Sequence, residues 1–336
     1  MKKFLLLTVF ATLLISIECY AKIHRVGYFG IPLPGTDYAT LQNANDSAAA
    51  GDTILLFPGN WNATFNKKYV VIGYGYFVAG TGKNANLQNI TGTQTVTVYL
   101  DSTASSSTFL GLDGINITAY YLNPVNNITV SRCNGSVSFN NKTCNNWQIT
   151  RCNLASLGYT WGLGIVSNLS VNNCYIASVS FGSGPVSGLT GQFNNDIISG
   201  ADFFNGSFLL KNDIILTYHS NDGNCVYQNC IGTSDYGAIP STNSDQNITN
   251  AVMTTNVFVG YSTQGSFSND GRWVLKAGSP AIGKGLGGTD CGIFGGTNPY
   301  KLSGIPPVPS FYLLTAASSI TSTNPYTITF SVRSNN

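Results

Sequence analysis

Two aspartates stand at matching points of two similar segments of the sequence and could bind a cation together. Asp196 and Asp213 each follow an Asn in the tetrapeptide Asn-Asp-Ile-Ile, which occurs twice in close succession. If the two segments stack as neighbouring strands, their carboxylates lie about 5 Å apart. Carboxylates at that separation share a proton, bind a hard cation such as Ca²⁺, or turn away from each other. The pair is therefore a candidate Ca²⁺ site, and the alternative is two exposed carboxylates that cap turns.

Two arginines mark the same point in earlier segments, where each directly precedes a cysteine. We expect Arg132 and Arg151 to point outward, because a guanidinium is difficult to place inside an apolar core. A pair of guanidinium groups suits a carboxylated or sulfated sugar, and a basic residue can remove the proton beside a sugar carboxylate. Both arginines are therefore candidate substrate-binding and catalytic residues, with a solvated surface pair as the alternative. Trp161 is a further candidate sugar-binding residue, because an outward aromatic ring can stack on a sugar.

His219 lies with Asp222 in a glycine-rich segment and is the third catalytic candidate. A His–Asp couple suits acid–base chemistry near neutral pH. No Gly-x-Ser-x-Gly motif accompanies it. A glycosidase needs two positioned carboxylates, and only aspartates could supply them, because the one glutamate, Glu18, lies near the N-terminus. The sequence therefore does not identify the catalytic residues of such an enzyme.

The candidate residues belong to a short sequence repeat. Most members begin with Asn, and two earlier members carry Arg132 and Arg151 in the Asn position. β-branched and apolar residues precede each member, and Gly, Asn and Ser clusters separate them, which is typical of short strands joined by turns. Asn tolerates the left-handed backbone of such turns, and stacked Asn side chains about 4.8 Å apart form a ladder. The predicted ladder consists of Asn173, Asn195, Asn212, Asn229 and Asn256.

A repeat of this length, with short strands and no room for a helix, predicts an all-β fold: a parallel β-helix of roughly 20-residue coils. A leucine-rich repeat would need a Leu framework, and a propeller would need a period of about 40 or more. Residues 37–50 predict a short helix, capped by Asp37, that covers the first coil and protects its sheet edge. Residues 51–59 then predict a turn, an apolar strand and a break.

The composition excludes several other classes of protein. Charged residues make up 9% of the chain and the formal net charge is +2, which is too little for a nucleic-acid binder that neutralises phosphates. Glycine, aromatic and uncharged polar residues dominate, instead of the Glu, Lys, Ala and Leu that coiled coils and helix bundles need. Aromatic residues, at 12%, are too frequent for a disordered chain.

Residues 1–21 have the three parts of a secretory signal. A basic start precedes an apolar run over residues 4–17, and a small residue, Ala21, stands at the expected cleavage point. We therefore expect export to the extracellular space, the periplasm or the cell surface. The apolar run is too short to span a bilayer, and no later stretch could span one.

Seven cysteines remain after this cleavage, and an odd number cannot pair completely within one chain. Cys133, Cys152 and Cys174 share one position of the repeat. In-register coils place their Cβ atoms slightly too far apart for the usual disulfide, so we expect a buried stack of reduced thiols. A disulfide between Cys225 and Cys230 is a separate alternative.

Two longer motifs carry a resemblance to a known family. The stretch AGDTILLFPGNW, residues 50–61, resembles the opening of secreted right-handed parallel β-helix proteins of the pectate-lyase-like superfamily. The stretch GSPAIGKGLGGTDCGIFGG, residues 278–296, resembles the closing coil of uncharacterised bacterial exported members. The resemblance implies a right-handed solenoid and a bacterial origin. It leaves the activity open, because the superfamily includes lyases, hydrolases, tailspikes and adhesins.

The predicted organisation is a signal peptide over residues 1–21, the β-helix over residues 22–303, and a Pro-rich linker with a C-terminal β segment over residues 304–336. The Asn-Thr-Asp, Gly-His-Gly and Arg-Ile-Lys blocks of polygalacturonase-like enzymes are missing, and so is the pectate-lyase Asp-His signature. We therefore expect an exported, non-catalytic protein that binds glycans or acts as a cell-surface adhesin. The alternative is a polysaccharide lyase, ahead of a glycoside hydrolase, that acts on an acidic polysaccharide.

Overall fold

The computed structural model describes most of the chain from residue 21 to residue 335. The predicted signal peptide lies outside the described residues, apart from Ala21. The described ranges are 21–27, 33–78, 84, 87, 90, 92–119, 124–140, 143–159, 164–181, 188–202, 206–218, 224–235, 237–240, 243–261, 267–316 and 327–335.

The chain winds into a parallel β-solenoid, which confirms the predicted parallel β-helix with stacked coils of about 20 residues. Sheet 1 contains eleven strands, and all of its pairings are parallel. Its strands are β1 (Ile23–Val26), with β2 (Asp37–Tyr38) on its outer edge, then β3 (Thr53–Leu56), β5 (Val70–Ile72), β7 (Thr108–Leu110), β10 (Thr129–Ser131), β13 (Gln148–Thr150), β16 (Leu169–Asn172), β19 (Thr190–Asn194), β22 (Ser207–Lys211) and β24 (Val226–Gln228).

Sheet 2 contains twelve strands and forms a second side of the coils. Its strands are β4 (Gly59–Phe65), β6 (Gln94–Leu100), β8 (Ile115–Ala119), β11 (Asn134–Ser138), β14 (Asn153–Gly158), β17 (Tyr175–Ile176), β20 (Ile197–Ile198), β23 (Ile214–Ile215), β25 (Ile231–Thr233) and β26 (Gln246–Ile248), with β18 (Val179–Ser180) paired to β14 and β21 (Ala201–Asp202) paired in turn to β18. A third side of the middle coils is the three-stranded sheet of β9 (Val125–Asn126), β12 (Thr143–Asn145) and β15 (Ile165–Ser167).

The core follows from this register, because alternate residues of a strand point to the same face. From β5 to β24, one inward residue of each sheet 1 strand aligns with its counterpart in the next coil, and all eight are buried. This column contains Val71, Phe109, Val130, Ile149, Val171, Phe193, Leu210 and Tyr227. Each coil therefore adds one apolar layer to a continuous interior.

A short helix covers the first coil. Helix α1 is Leu41–Ser47, and the hydroxyl of Thr40 accepts a hydrogen bond from the N–H of Asn43 at 3.2 Å. The predicted helix was too long and its predicted cap is wrong: Asp37 lies in β2, where both carboxylate oxygens accept hydrogen bonds from Arg25 at 2.6 and 2.8 Å. Those bonds hold the pKa of the Asp37 carboxyl below its usual value. The ion pair keeps Asp37 on the strand and leaves Thr40 to cap the helix.

After β26 the regular coils end. Helix α2 (Asn250–Val252) continues into a π-helical turn, Met253–Val257. Short 3₁₀ turns occur at Ser102–Ala104, Gly271–Trp273, Leu286–Gly288 and Leu302–Gly304. Among the described residues, no helix is long and apolar enough to cross a membrane.

Residues 284–305, here called the strap, run back along the outside of the coils toward earlier ones. This differs from the expected closing coil at 278–296. The strap covers the outer face of sheet 2, so strands such as β20 and β23 are buried on both faces. In each of them one isoleucine faces the interior and the other, Ile197 or Ile214, packs in an outer cluster with Ile293 of the strap. Burial on both faces explains the consecutive isoleucines of these strands.

Beyond the strap the chain forms an antiparallel hairpin of β27 (Ser310–Ala316) and β28 (Ile328–Arg333). Phe311 and Phe330 pack edge to face on one side of it, with ring centroids 5.9 Å apart. That side stays largely open, since Phe330 is 60% exposed.

Candidate functional site

Four of the five predicted ladder asparagines, together with the two arginines of the earlier coils, form the turn between sheet 1 and sheet 2. Their φ angles lie between 54° and 57°, the left-handed region that Asn tolerates better than most residues. The backbone N–H of each member donates to a carbonyl of the next coil, as Asn173 does to Asn194 at 3.0 Å. The column consists of Arg132, Arg151, Asn173, Asn195, Asn212 and Asn229.

Asn256 lies outside this column. It is an exposed residue of the π-helical turn, past the last regular coil. The next coil after Asn229 instead reaches the column position at Ser244, which has a φ of 67°. The Asn-Val-Phe-Val stretch at residues 256–259 imitates the repeat in sequence, but the chain has already left the solenoid there.

The column binds the strap, mainly through its asparagine amides. The amide nitrogen of Asn173 donates to the carbonyls of Ile293 and Gly295 at 2.9 and 2.8 Å, and that of Asn195 donates to Asp290 at 2.9 Å. Further bonds join Asn229 to the carbonyl of Lys284 and the N–H of Leu286 to Asn212. The amide-to-amide contact of a ladder is present between Asn212 and Asn195, at 3.3 Å.

A more continuous amide ladder lies at another corner of the coils. The amide nitrogen of Asn146 donates to Asn127 at 3.0 Å, and Asn168 donates in turn to Asn146. These three residues also have φ angles between 54° and 59°. The sequence signal is an Asn at one constant offset before Arg132, Arg151 and Asn173, a column that the predicted ladder does not include.

The two arginines point out of the core, as expected, but toward the strap. Arg132 is buried, and its Nη1 donates to the carbonyls of Ile305 and Asn335 at 2.6 and 3.1 Å. Arg151 is more open and contacts Asn298, through Nη2 to Oδ1 at 2.8 Å and Nε to the carbonyl at 3.3 Å. Burial, with the nearby charge of Arg151, lowers the pKa of Arg132. The two guanidinium groups therefore do not form the expected open, paired surface, because each of them contacts the strap.

A polar groove of about 450 Å³ opens beside Arg151. One wall is formed by the ends of sheet 1 strands, where Asn194 donates to Asn172 across neighbouring coils at 3.1 Å. The other wall is the strap. The lining residues define what we call the Asn groove: Thr150, Arg151, Asn172, Asn173, Asn194, Asn195, Thr297 and Asn298. Amides, hydroxyls and one guanidinium line it, and no carboxylate is among the lining residues.

Asp196 and Asp213 follow the column by one residue and point inward, where both are fully buried. Oδ1 of Asp196 accepts the N–H of Cys174 at 2.6 Å, and Oδ1 of Asp213 accepts the N–H of Asp196 at 2.7 Å. Oδ2 of Asp196 accepts the N–H of Asn194 at 3.0 Å. The carboxyls thus bind backbone groups of adjacent coils and are not an exposed, turn-capping pair.

Burial raises the pKa of both carboxyls well above the usual value, and the charge of Asp213 raises that of Asp196 further. Both groups are therefore protonated over a wider pH range than ordinary aspartates. Among the residues that the structure describes, no group of three or more His, Cys, Asp or Glu side chains is placed to hold a metal ion.

The same inward position holds cysteines in neighbouring coils. The N–H of Cys133 donates to Sγ of Cys152 at 3.4 Å, and the N–H of Cys152 donates to Sγ of Cys174 at 3.3 Å. Further along, the N–H of Cys230 donates to Oδ1 of Asp245 at 2.7 Å. The structure records no disulfide among the seven cysteines of residues 133–291. Cys and Asp therefore have the same structural role at this position, since the side chain of each accepts a hydrogen bond from a backbone N–H of the preceding coil.

The structure also pairs His24 with Asp52, which no repeat signal indicated. Nε2 of His24 lies 2.8 Å from Oδ2 of Asp52, and both side chains are buried. Burial raises the pKa of the Asp52 carboxyl, but hydrogen bonds from His24 and from the N–H groups of Lys22 and Ala49 bring it below its usual value. The candidates Trp161 and His219 lie outside the described residues.

The chain matches no protein-family model, and no curated protein or solved structure matches it significantly. The parallel β-solenoid therefore rests on the geometry above, and the resemblance to the pectate-lyase-like superfamily stays a proposal.

Proposed function

We propose that this chain is an exported, non-catalytic protein that binds glycans through the Asn groove, in solution or at a cell surface. The observation that carries the proposal is the groove itself. It concentrates Asn amides, Thr hydroxyls and the Arg151 guanidinium along several coils. The leader over residues 1–21 supports export.

The chemistry of the groove suits hydroxyl-rich ligands. An Asn amide has two donors and one acceptor oxygen, which matches the mixed donors and acceptors of sugar hydroxyls. The strap already takes both donors of Asn173, so Asn172 and Asn194 carry this chemistry in the proposal. Successive coils repeat these amides at the strand spacing of about 4.8 Å, so the binding groups follow a line along the solenoid axis. A linear polymer of sugars fits such an array better than an isolated small molecule.

The groove is also preorganised for binding. Asn298 of the strap holds Arg151, and Asn172 and Asn194 are hydrogen-bonded to each other across two coils. Side chains that are already ordered lose less conformational entropy when a ligand binds.

The competing function, a polysaccharide lyase or glycoside hydrolase acting on an acidic polysaccharide, finds less support in the described residues. A hydrolase needs two carboxylates that reach the substrate, and Asp196 and Asp213 face the interior. Arg132 is covered by the strap and the C-terminus. Arg151, which lines the Asn groove, and His219 remain the candidates through which catalysis would operate.

The test is to incubate the mature protein with neutral and uronate-containing polysaccharides, with and without Ca²⁺. Co-pelleting with insoluble glycans reports binding, and reducing ends or unsaturated sugars report cleavage. Asn194→Ala and Arg151→Ala should weaken co-pelleting by roughly tenfold each. Asn116→Ala, at an exposed asparagine of sheet 2, is the matched control and should bind like the wild type.

Two results would contradict the proposal. Equal co-pelleting of the groove variants and the wild type would place the binding surface elsewhere. New unsaturated or reducing ends would establish an enzyme and favour the catalytic alternative.

A further inference from the structure

A second cavity, of about 440 Å³, lies at the Arg132 end of the column, between the strap and the C-terminal hairpin. Three cationic side chains line it, and no Asp or Glu is among the lining residues. We call it the basic pocket and define it by Arg132, Tyr300, Lys301, Arg333, Ser334 and Asn335. It is separate from the Asn groove, since none of these residues lines both.

Among the described residues, no carboxylate pairs with the buried charge of Arg132. The residue is only 4% exposed, and its Nη1 binds two backbone carbonyls. The ion pairs found among the described residues lie near the N-terminus, and none includes Arg132 or Lys301. The carbonyl oxygens accept hydrogen bonds from the guanidinium but do not neutralise its charge. An uncompensated buried charge is strongly unfavourable.

The surroundings add more positive charge. No acidic residue follows Asp290 in the sequence, so the later strap and the hairpin contribute Lys301 and Arg333 and no acidic side chain. Arg151 stands one coil away from Arg132, and its charge contributes to lowering the pKa of Arg132.

Asp270, the acid that contacts Tyr300 of the pocket wall, is already engaged by neutral donors. Asp270 is buried, and its Oδ2 accepts the N–H of Ser303 at 2.6 Å and the hydroxyl of Tyr300 at 3.2 Å. Its Oδ1 accepts the amide of Asn84 at 2.8 Å. The hydroxyl of Tyr300 also contacts that of Tyr76. Asp270 therefore orients Tyr300 at the pocket wall and forms no ion pair with Arg132.

We propose that the basic pocket binds one oxyanion group, a carboxylate, sulfate or phosphate, through Arg132, Lys301 and Arg333. Planar guanidinium groups bind such oxyanions with two parallel hydrogen bonds, and the ammonium group of Lys301 adds a point charge. The guanidinium of Arg333 lies 5.1 Å from the ring centroid of Tyr312, which helps to position it. This site is independent of the glycan-binding proposal, because it uses a different cavity.

Isothermal titration calorimetry on the full mature chain tests the site. The titrants are sulfate, inorganic phosphate and glucuronate at constant ionic strength, with glucose as the neutral control. We expect one oxyanion per chain, and we expect Lys301→Met and Arg333→Met each to weaken binding by roughly tenfold. Arg132→Met also removes the bonds to Ile305 and Asn335, so the other two variants carry the test.

Lys276→Met is the matched control, because Lys276 is exposed and lies outside the pocket. Saturable binding of sulfate or phosphate, lost in the pocket variants, supports a free or ester-linked tetrahedral oxyanion. Saturable binding of glucuronate alone supports a carboxylate carried by a sugar. Heats that are absent, that persist equally in all variants, or that glucose reproduces would overturn the proposal. The two proposals fail separately, because these titrations probe the basic pocket whereas co-pelleting with insoluble glycans probes the Asn groove.

Discussion

The buried carboxyl of Asp213 should make the solenoid less stable as the pH rises. The side chain is fully buried, and burial raises its pKa well above the usual value. In the unfolded chain the same carboxyl titrates near pH 3.9. Between these two pKa values the unfolded state has released the proton and the folded state still holds it. The free energy of unfolding therefore falls as pH rises through this window and is independent of this group below it.

The size of the effect follows from proton linkage. Each carboxyl that stays protonated in the fold costs about 1.4 kcal/mol of stability for every pH unit above its unfolded pKa. Asp213→Asn removes this cost, because a neutral amide has no proton to keep. The amide oxygen can still accept the N–H of Asp196, and the substitution gives up only the marginal contact between the carboxyl and the N–H of Lys211. The variant should therefore gain on the wild type by up to about 3 kcal/mol between pH 5 and pH 7.

Urea unfolding at pH 5, 6 and 7 measures this difference. Repetitive solenoids do not always unfold in one step, so the midpoints of one probe, far-ultraviolet circular dichroism, are compared. Asp46→Asn, at an exposed carboxyl of helix α1, controls for the loss of one negative charge. A gap between Asp213→Asn and the wild type that does not widen with pH would refute the reasoning. So would a variant that is less stable at pH 7, since the folded carboxyl would then be ionised.

The remaining predictions concern the turn, the strap and the core. Asn173→Ala should cost about 2–3 kcal/mol, from the left-handed backbone and two lost hydrogen bonds, and Asn173→Gly should recover about 1 kcal/mol of it; equal urea midpoints would exclude backbone strain. Gly304→Ala should loosen the strap by about 1–3 kcal/mol, because a Cβ there would lie 2.2 Å from Cε1 of Tyr76; unchanged protease resistance of the strap would contradict this. Trp147→Ala should cost about 3–5 kcal/mol, because the buried indole fills the core and donates to the carbonyl of Val125 at 2.8 Å. Trp147→Phe should cost less, and equal losses in thermal unfolding would show that the hydrogen bond, not the volume, dominates.

Much of the fold can be predicted from the sequence, because its signals are local and repeated. A short repeat period, β-branched stretches and an Asn or Arg at one offset indicate stacked short strands joined by left-handed turns. The φ angles of Arg151, Asn173 and Asn195 agree with that reasoning. Asn256 shows its limit, since a matching tetrapeptide carries no information on whether the chain is still in register with the coil before it.

The facing and the environment of the candidate residues were decided by tertiary structure. Asp213 and Cys152 occupy the same inward column of the coils. From the sequence they suggested two different features, a metal site and a thiol stack, because the burial of each side chain depends on the neighbouring coils. Arg132 was expected at an open surface, and it is covered by the strap, which comes much later in the chain. Contacts between residues so far apart leave no local pattern. The sequence by itself therefore determined the repeating coil, and only the folded chain decided which polar groups the strap covers and which line a groove.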